Sequence, residues 1–480
     1  MYILIEIMEV LEFIVHYINI LSVKKKEKTS QNTRLKCQDI DVIIATINEG
    51  IDVLEKNVKS CLKMEYEDKE KIHIYLCDDG NRKEVKELAE KYNVGYITRN
   101  DNKDAKAGNY NNALKYLKSK YILTLDADMC PSPQFLNETM YLFEKEKNVG
   151  FVQTPQAFEN LDIYQSRFGV KNTIAFDQNF FYHYMQPAKN ATNTVVYCGT
   201  NAIILREALD KIGGFARKTL TEDIATGMLI EAKGYKGIYV DKVLAIGYSP
   251  NNLKDFINQR KRWSAGCIQM EKNYHILRQK GLNIRQKLEY LSCVSYWFFP
   301  VKTFLYLIAP ILFSVFKIAI IDSPVNIFLI MWLPQYILKR FILDKVYSNM
   351  RSATWNKIYE IILFPSLVLT CIKEFLGIRK KEFVVTDKKF KINQKDKTNI
   401  KLCIGHLIFL GINVISYIFS IKSRYILPAI FSVINIGYLM LAIIFDLNKQ
   451  KYVEENIDKT KTNIKYKYRA IFKIFKEMEF

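Results

Sequence analysis

Two stretches of this sequence leave a purely water-soluble fold little room. Residues 402–421, LCIGHLIFLGINVISYIFSI, and 425–445, YILPAIFSVINIGYLMLAIIF, contain no Asp, Glu, Lys or Arg. A helix of about 20 residues rises about 30 Å, the thickness of the hydrocarbon layer of a bilayer, and satisfies its backbone polar groups internally. The pair therefore predicts a hairpin of two membrane spans. Upstream, 291–321 holds only Lys302 and Lys317 as charges, and 324–343 is apolar until Lys339 and Arg340, which predicts a first pair of spans. Residues 355–376, with charges toward both ends and a proline between, suit a helix lying in the interface. At the N-terminus, Glu6, Glu9, Glu12, His16 and Asn19 share one side of a helical wheel, and no small-residue cleavage site follows. That segment reads as an interfacial helix or as a span packed against the others.

Charge fits the same picture. The formal net charge of +20 would suit nucleic acid, but the basic residues flank apolar segments instead of forming an Arg-rich arm with interleaved aromatics. Segments 24–36, 254–288, 339–351 and 379–401 fall on one side if the spans alternate, as a cytoplasmic face beside anionic lipid requires; Lys422 and Arg424 break the rule. No nucleic-acid partner is expected. Nine cysteines without a C-x-x-C pair argue against both a disulfide framework and a zinc ribbon, and fit free thiols in a reducing cytosol.

Between residues 38 and 150 the pattern changes to alternating strands and helices: DIDVIIAT, a helix from Asp52, KIHIYLC, a helix from Arg82, VGYIT, a helix from Ala107, and YILTL. This order predicts an α/β domain with a parallel sheet wrapped by helices, and ligands in such sheets bind beyond the carboxyl ends of the strands. Three polar clusters stand there: TINEG (46–50), CDDGN (77–81) and LDADM (125–129). Asp126 and Asp128, one residue apart on an extended chain, point the same way and suit one divalent cation, though a solvated strand end would look similar. Lys106, ahead of a Gly-containing helix start, suits a phosphate or merely a solvated turn. Neither G-x-G-x-x-G after the first strand nor G-x-x-x-x-G-K-[ST] occurs, which lowers the case for a dinucleotide enzyme or a P-loop ATPase.

Farther on come VQTPQAF (152–158), YCGTNAIILREAL (197–209), TLTEDIATG (219–227) and QRKRW (259–263). The order DDG, KAGNxNNAL, DAD, QTP, CGT, TED, QxxRW, followed by apolar spans, closely resembles the processive family 2 glycosyltransferases, bacterial cellulose synthase catalytic subunits in particular. FVVTDK (383–388) is similar to the gating loop of those synthases, and the resemblance covers roughly residues 38–447. It implies a GT-A glycosyltransferase domain, Rossmann-like, at 38–285. A transmembrane channel region of spanning and interfacial helices at 286–447 would include a gating loop at 378–395. A membrane-associated or transmembrane helix at 1–37 and a basic tail at 448–480 would flank them.

The resemblance also implies roles. Asp223 of T-E-D would be the general base, with Glu222 its helper, although Thr221-Glu222-Asp223 also suits a helix start. Asp126 and Asp128 would hold Mg2+ or Mn2+. Thr46, Glu49, Asp78 and Asp79 would hold uridine, and Lys106, Gln259 and Arg262 the rest of the donor. Trp263, Cys198 and Gln153 would meet the acceptor sugar, with Cys198 packing and not attacking. Phe383, Val385, Thr386 and Lys388 would close over the donor. Ile47 and Met129 depart from the family's frequent tyrosine and histidine, and residues 446–480 are too few for a cyclic-di-GMP-binding domain.

The expected activity is polymerisation of glucose from UDP-glucose into a β-glucan, β-1,4 or mixed β-1,3/1,4, passed through the protein's own spans in a bacterial plasma membrane. Its partners would be UDP-glucose, the nascent glucan and membrane lipid; no accessory secretion subunit is identified. A synthase using UDP-GlcNAc, of the hyaluronan, chitin or poly-GlcNAc type, is the nearest alternative. A nonprocessive transferase acting on a lipid carrier, or an inactive transporter or scaffold, fits the intact Asp128, Asp223, Arg262 and Q-x-x-R-W less well.

Overall fold

A computed structural model describes residues 37–168, 175–250, 252–318, 353–378 and 398–448, with a few positions between 330 and 340. The N-terminal helix, most of 324–343, the gating-loop residues Phe383, Val385, Thr386 and Lys388, and the basic tail lie outside the described residues.

Four parallel strands, β1 (Ile40–Thr46), β2 (Ile72–Asp78), β3 (Gly95–Thr98) and β4 (Tyr121–Asp126), stand in the order β3-β2-β1-β4. Helices α1 (Ile51–Leu62), α2 (Lys83–Lys91) and α3 (Ala105–Ala113) connect them. The apolar run at 42–45 of β1 follows from burial on both faces, and the buried Asp41 before it accepts from the Ser119 amide at 2.9 Å. Ile40, Val42 and Ile44 pack with Leu54 and Val58 of α1 and with Val85 and Leu88 of α2, whereas Ile43 packs on the opposite face with Ala107 and Tyr110 of α3.

The sheet is mixed and not wholly parallel. It continues through β8 (Ala202–Leu205), β6 (Val149–Gln153) and β9 (Lys236–Tyr239), and β8 runs antiparallel to both β4 and β6. Thr124 pairs with Ala202 and Tyr121 with Leu205, so β8 starts at the carboxyl rim and descends. Its four apolar residues, AIIL, three of them buried and Leu205 partly so, carry no alternation from which this direction could be read. The consequence is functional, because the residues preceding β8, Tyr197 to Asn201, are delivered to the rim where β1, β2 and β4 end. A second sheet, β5 (Cys130–Pro131), β10 (Ala245–Gly247) and β7 (Ala157–Phe158) in the order β5-β10-β7, fastens the chain just beyond Asp128 through the pairing of Ile246 with Cys130.

Beyond the sheet come α4 (Arg206–Ile212), α5 (Glu222–Ala232), α6 (Leu253–Tyr274), α7 (Ile284–Tyr296), α8 (Phe299–Ser314), α9 (Ala353–Leu376), α10 (Thr398–Lys422) and α11 (Ile426–Leu447). Ile400–Lys422 and Ile426–Leu447 are long and apolar enough to cross a membrane, and α7 with α8 forms a pair bent by 53° that together passes the same test. In α9, Ile358, Ile361, Ile362, Phe364 and Leu367 are buried in the helical core while Leu369, Ile372, Phe375 and Leu376 near its end are exposed. This core is continuous with the sheet domain: the Tyr164 ring stacks on Tyr359 at 3.8 Å, and Phe168 meets Phe445 at 5.4 Å.

Candidate active site

At the ends of β1 and β2, Thr46 and Asp78 are register partners. The Thr46 hydroxyl donates to Glu49 Oε2 at 2.8 Å, and the same oxygen accepts from the Ile47 amide at 2.8 Å, so the carboxylate is spent on the strand end. Arg82 gathers the cluster: Nη2 reaches Thr46 Oγ1 at 2.6 Å, Nη1 the Glu49 carbonyl at 2.6 Å, and Nε Asp78 Oδ1 at 3.1 Å. Asp78 is fully buried, also accepts from the amides of Gly80 and Arg82, and is thus a fastening group within the rim. Asp79 faces the other way and pairs with Arg99 at 2.6 and 2.7 Å. Neither arginine is among the residues that the motifs single out; the available signal is a cation four residues past the end of β2 and one directly after β3, in DDGNR and YITRN.

Asp126 ends β4 beside Ala45 of β1. Its amide donates to Thr200 Oγ1 at 2.8 Å, and Asn57 Nδ2 holds the carbonyls of Asp126 and Ala127 at 2.9 and 3.1 Å. Lys106 Nζ reaches Asp126 Oδ1 at 2.5 Å and the Gly199 carbonyl at 2.8 Å. Burial alone would lower the Lys106 pKa, but the Asp126 carboxylate beside it holds it above the ordinary lysine value. Asp128 is buried, and Met129 after it packs into the apolar cluster with Ala127, Phe135 and Ala245, below the rim.

Asp223 and Glu222 open α5, and the segment before them is docked on α6. Thr219 Oγ1 donates to the Gly266 carbonyl at 2.7 Å and Gln269 Oε1 accepts from the Leu220 amide at 3.2 Å. Burial, then the neighbouring Glu222 charge, pushes the Asp223 carboxyl up to about 7, with Lys106 and Arg262 pulling the other way. Glu222 is raised by burial too, against Lys106 and Arg262. Gly199 stands between the two halves of the site at φ +76; a Cβ there would lie 3.2 Å from Asp223 Oδ2 and 3.3 Å from Lys106 Nζ. The glycine keeps open the space that both groups face.

From α6, Gln259, Arg262 and Trp263 project at i, i+3 and i+4, one side of the helix. Gln259 Oε1 is buried without a hydrogen-bond partner among the described residues. Trp263 is half-buried, edge-on to Trp297 at 6.3 Å, with the Arg260 guanidinium over its ring at 4.4 Å. Arg260 is in turn paired with Asp177. Gln153 is fully buried, with Oε1 accepting from the Cys198 amide at 2.8 Å and Nε2 donating to the Thr154 and Thr200 carbonyls at 2.8 and 2.9 Å. It shapes the Cys198–Thr200 segment from beneath. Burial and then the Asp223 charge raise the Cys198 thiol pKa, which keeps it protonated.

Among the described residues no cluster of three or more His, Cys, Asp or Glu could cage a metal. Asp126 and Asp128 nevertheless fit a cation shared with a ligand: two hard oxygen donors are what a Mg2+ or Mn2+ takes from protein when phosphate supplies the rest. An ammonium already rests on Asp126, so the position favours positive charge.

Residues 121–342 match the profile of glycosyl transferase family group 2. A UDP-forming cellulose synthase catalytic subunit of Pseudomonas fluorescens is 30% identical over 382 residues, covering 80% of this chain and 51% of that protein. Another, from Komagataeibacter xylinus, is 29% identical over 416 residues, covering 84% of this chain and 56% of that protein. The chain thus spans about half the length of these relatives. Among solved structures, a mannosyltransferase from Pyrobaculum calidifontis, in complex with GDP-Man and Mn2+, aligns with TM-score 0.53 at 17% identity, over 78% of this chain and 96% of that one. The sheet domain has the GT-A-like fold.

Proposed function

From the premise that residues 121–342 belong to glycosyl transferase family group 2 and that the chain is cellulose synthase-like, we propose that it polymerises glucose from UDP-glucose into a β-glucan. We further propose that the polymer leaves through the helical domain, seated in a bacterial plasma membrane. The observation that carries this reading is the meeting of Lys106, Asp126 and Asp223 around the bare Cα of Gly199.

Asp79 stands at the nucleoside end, on a rim that Thr46, Glu49 and Asp78 fasten. Lys106 and Arg262 face the diphosphate, and Gln259, with its orphaned carbonyl oxygen, accepts from a donor-sugar hydroxyl. A divalent cation held by Asp126 and Asp128 would supply Lewis-acid neutralisation of the leaving diphosphate. Trp263 presents its ring to the terminal acceptor sugar. Asp223 takes the proton of the acceptor hydroxyl as that oxygen bonds to the anomeric carbon and the bond to UDP breaks on the opposite face, inverting the centre. A carboxyl raised to about 7 is matched to that task near neutral pH.

The test is direct. Purified protein in nanodiscs is given labelled UDP-sugars with Mg2+ or Mn2+, and the product is digested with glucanases specific for β-1,4 or β-1,3 linkages. Polymer from UDP-glucose supports the reading and its digestion pattern gives the linkage. No polymer from UDP-glucose sinks it, and polymer from UDP-GlcNAc alone replaces it with the amino-sugar synthase.

A further inference from the structure

We propose that Arg99 is the positioning residue of the donor site, one side chain that fixes both the nucleoside carboxylate of Asp79 and the strained turn from which Lys106 reaches the phosphates. The inference rests on the donor reading of Asp79 and Lys106 above.

Arg99 follows β3 directly and grips Asp79 as a fork, Nε to Oδ1 at 2.6 Å and Nη2 to Oδ2 at 2.7 Å. That geometry leaves the carboxylate one orientation. The remaining donors turn to the opposite side, where Nη1 donates to the Lys103 carbonyl at 2.6 Å and Nη2 to the Ala105 carbonyl at 2.7 Å. The guanidinium therefore bridges β2 and the loop into α3 with side-chain exposures of only 9% for Arg99 and 6% for Asp79. Water cannot replace it easily at either face.

The loop needs such a pin. Asp104 and Ala105 lie at φ +60 and +44, two consecutive non-glycine residues in the left-handed region, where Cβ crowds the following carbonyl. The Asp104 side chain makes no capping hydrogen bond at the start of α3. Gly108 shows how closely the loop is drawn onto the arginine, since a Cβ there would lie 1.9 Å from the Lys103 carbonyl and 2.3 Å from Arg99 Nη1. Lys106 stands one residue beyond the strained pair, so the direction of its side chain toward Asp126 and the Gly199 carbonyl is set by the turn that Arg99 holds. Disturbing one guanidinium thus disturbs both ends of a bound nucleoside diphosphate.

The charges around Asp79 add a readout that a merely structural role would not move. Burial raises its carboxyl, Arg99 opposes this, and Asp78 and Asp101 add to the rise. Without Arg99 the Asp79 carboxyl protonates more readily, and affinity for a nucleotide that needs the ionised form weakens as pH falls.

Calorimetric titration of UDP with Mg2+ into the full chain in nanodiscs, from pH 6 to 9, tests the proposal with Arg99→Lys and Arg99→Gln. A lysine keeps charge but cannot span four acceptors. Both variants should bind UDP roughly 10-fold or more weakly, with affinity falling more steeply toward acid pH than in the wild type, and with UDP-glucose KM raised more than kcat is lowered. Ala105→Gly, which relieves the left-handed strain, should recover part of the loss when added to Arg99→Gln. Wild-type affinity and a wild-type pH profile in both variants overturn the positioning role while leaving the donor site intact. Failure of the wild type to bind UDP overturns the donor reading and this inference with it.

Discussion

His406 Nε2 lies 2.9 Å from the Ile361 carbonyl, and Ile361 stands four residues before Pro365 in α9. Proline has no N–H, so that carbonyl loses its helical partner and the imidazole replaces it. Because a carbonyl only accepts, Nε2 is the donor, and Nδ1 shares one proton with Asp446 Oδ2 at 2.6 Å. One side chain of α10 thereby ties α9 to α11. The same device recurs at Pro310 of α8: Asn435 Nδ2 donates to the Tyr306 carbonyl at 3.2 Å, again four residues before the proline, and Asn413 to Leu307 at 3.1 Å. Polar side chains in these helices answer backbone carbonyls that the prolines leave without a helical partner.

His406→Ala should therefore destabilise the helical domain by about 1–3 kcal/mol, because it orphans a buried carbonyl and leaves Asp446 unpaired. Pro365→Ala restores an N–H for Ile361, so the double variant should lose less than the sum of the singles. Thermal unfolding in detergent reads both. A wild-type midpoint for His406→Ala, or strict additivity, contradicts the account.

The acceptor platform gives a second expectation. Asp177 holds Arg260, and Arg260 covers one face of Trp263 at 4.4 Å from its ring centre. Arg260→Gln removes a contact worth about 0.5–2 kcal/mol and frees the ring to rotate. Quenching of tryptophan fluorescence by cello-oligosaccharides should show acceptor affinity reduced roughly 2- to 30-fold, the same interval expressed as a ratio. UDP-glucose KM should stay within about twofold, since Arg260 is turned to Asp177 and Trp263 and is not itself one of the proposed donor contacts. Equal losses on both substrates would mean that α6 as a whole has moved.

The fold was readable in the sequence where burial leaves a pattern. Apolar runs at 42–45 and 121–125, each followed by a polar cluster, TINEG and LDADM, marked both the strands and the rim on which they end. The reversal at β8 was not readable, because a four-residue strand buried on both faces has no period. The rim clusters TINEG, DDG and DAD meet because β1, β2 and β4 are neighbours whatever the loops do, whereas TED opens a helix and reaches the site beside Gly199. What individual side chains do there was another matter. Gln153 and Asp78 are committed to backbone amides and carbonyls, and the guanidiniums of Arg82 and Arg99 hold the rim carboxylates, because hydrogen-bond assignment depends on distances that motifs do not encode.

Glu222 is one of the causes that raise Asp223 to about 7. If Asp223 acts as a base it must be ionised, so kcat/KM should fall as pH drops through about 7. Glu222→Gln removes a like charge from a buried neighbour and should carry the acid limb to lower pH. A pH–rate profile of both proteins decides, and an unmoved limb would assign it to some other group.

Asp223→Asn should trade activity for stability. The substitution removes the proton acceptor, so elongation should fall by about 100-fold or more while UDP binding survives, because Asp223 is not one of its proposed ligands. For stability the sign follows from the raised pKa. The folded carboxyl at about 7 stands above the ordinary 3.8, so the folded state binds its proton more tightly than the unfolded chain does. The wild type thus keeps its full stability below pH 4 and loses this contribution as pH climbs through about 7. Asparagine has nothing to ionise, so the variant's advantage should be absent near pH 4, grow up to about 7, and level off above it. The plateau should be on the order of a few kcal/mol, because each tenfold difference in proton affinity between the folded and unfolded chain is worth about 1.4 kcal/mol. Unfolding midpoints of the two proteins between pH 5 and 9 measure the difference. A variant no more stable than wild type at pH 8 would mean that the Asp223 carboxylate is well solvated or well paired in the folded enzyme. The same result would remove the reason for a base tuned to neutrality.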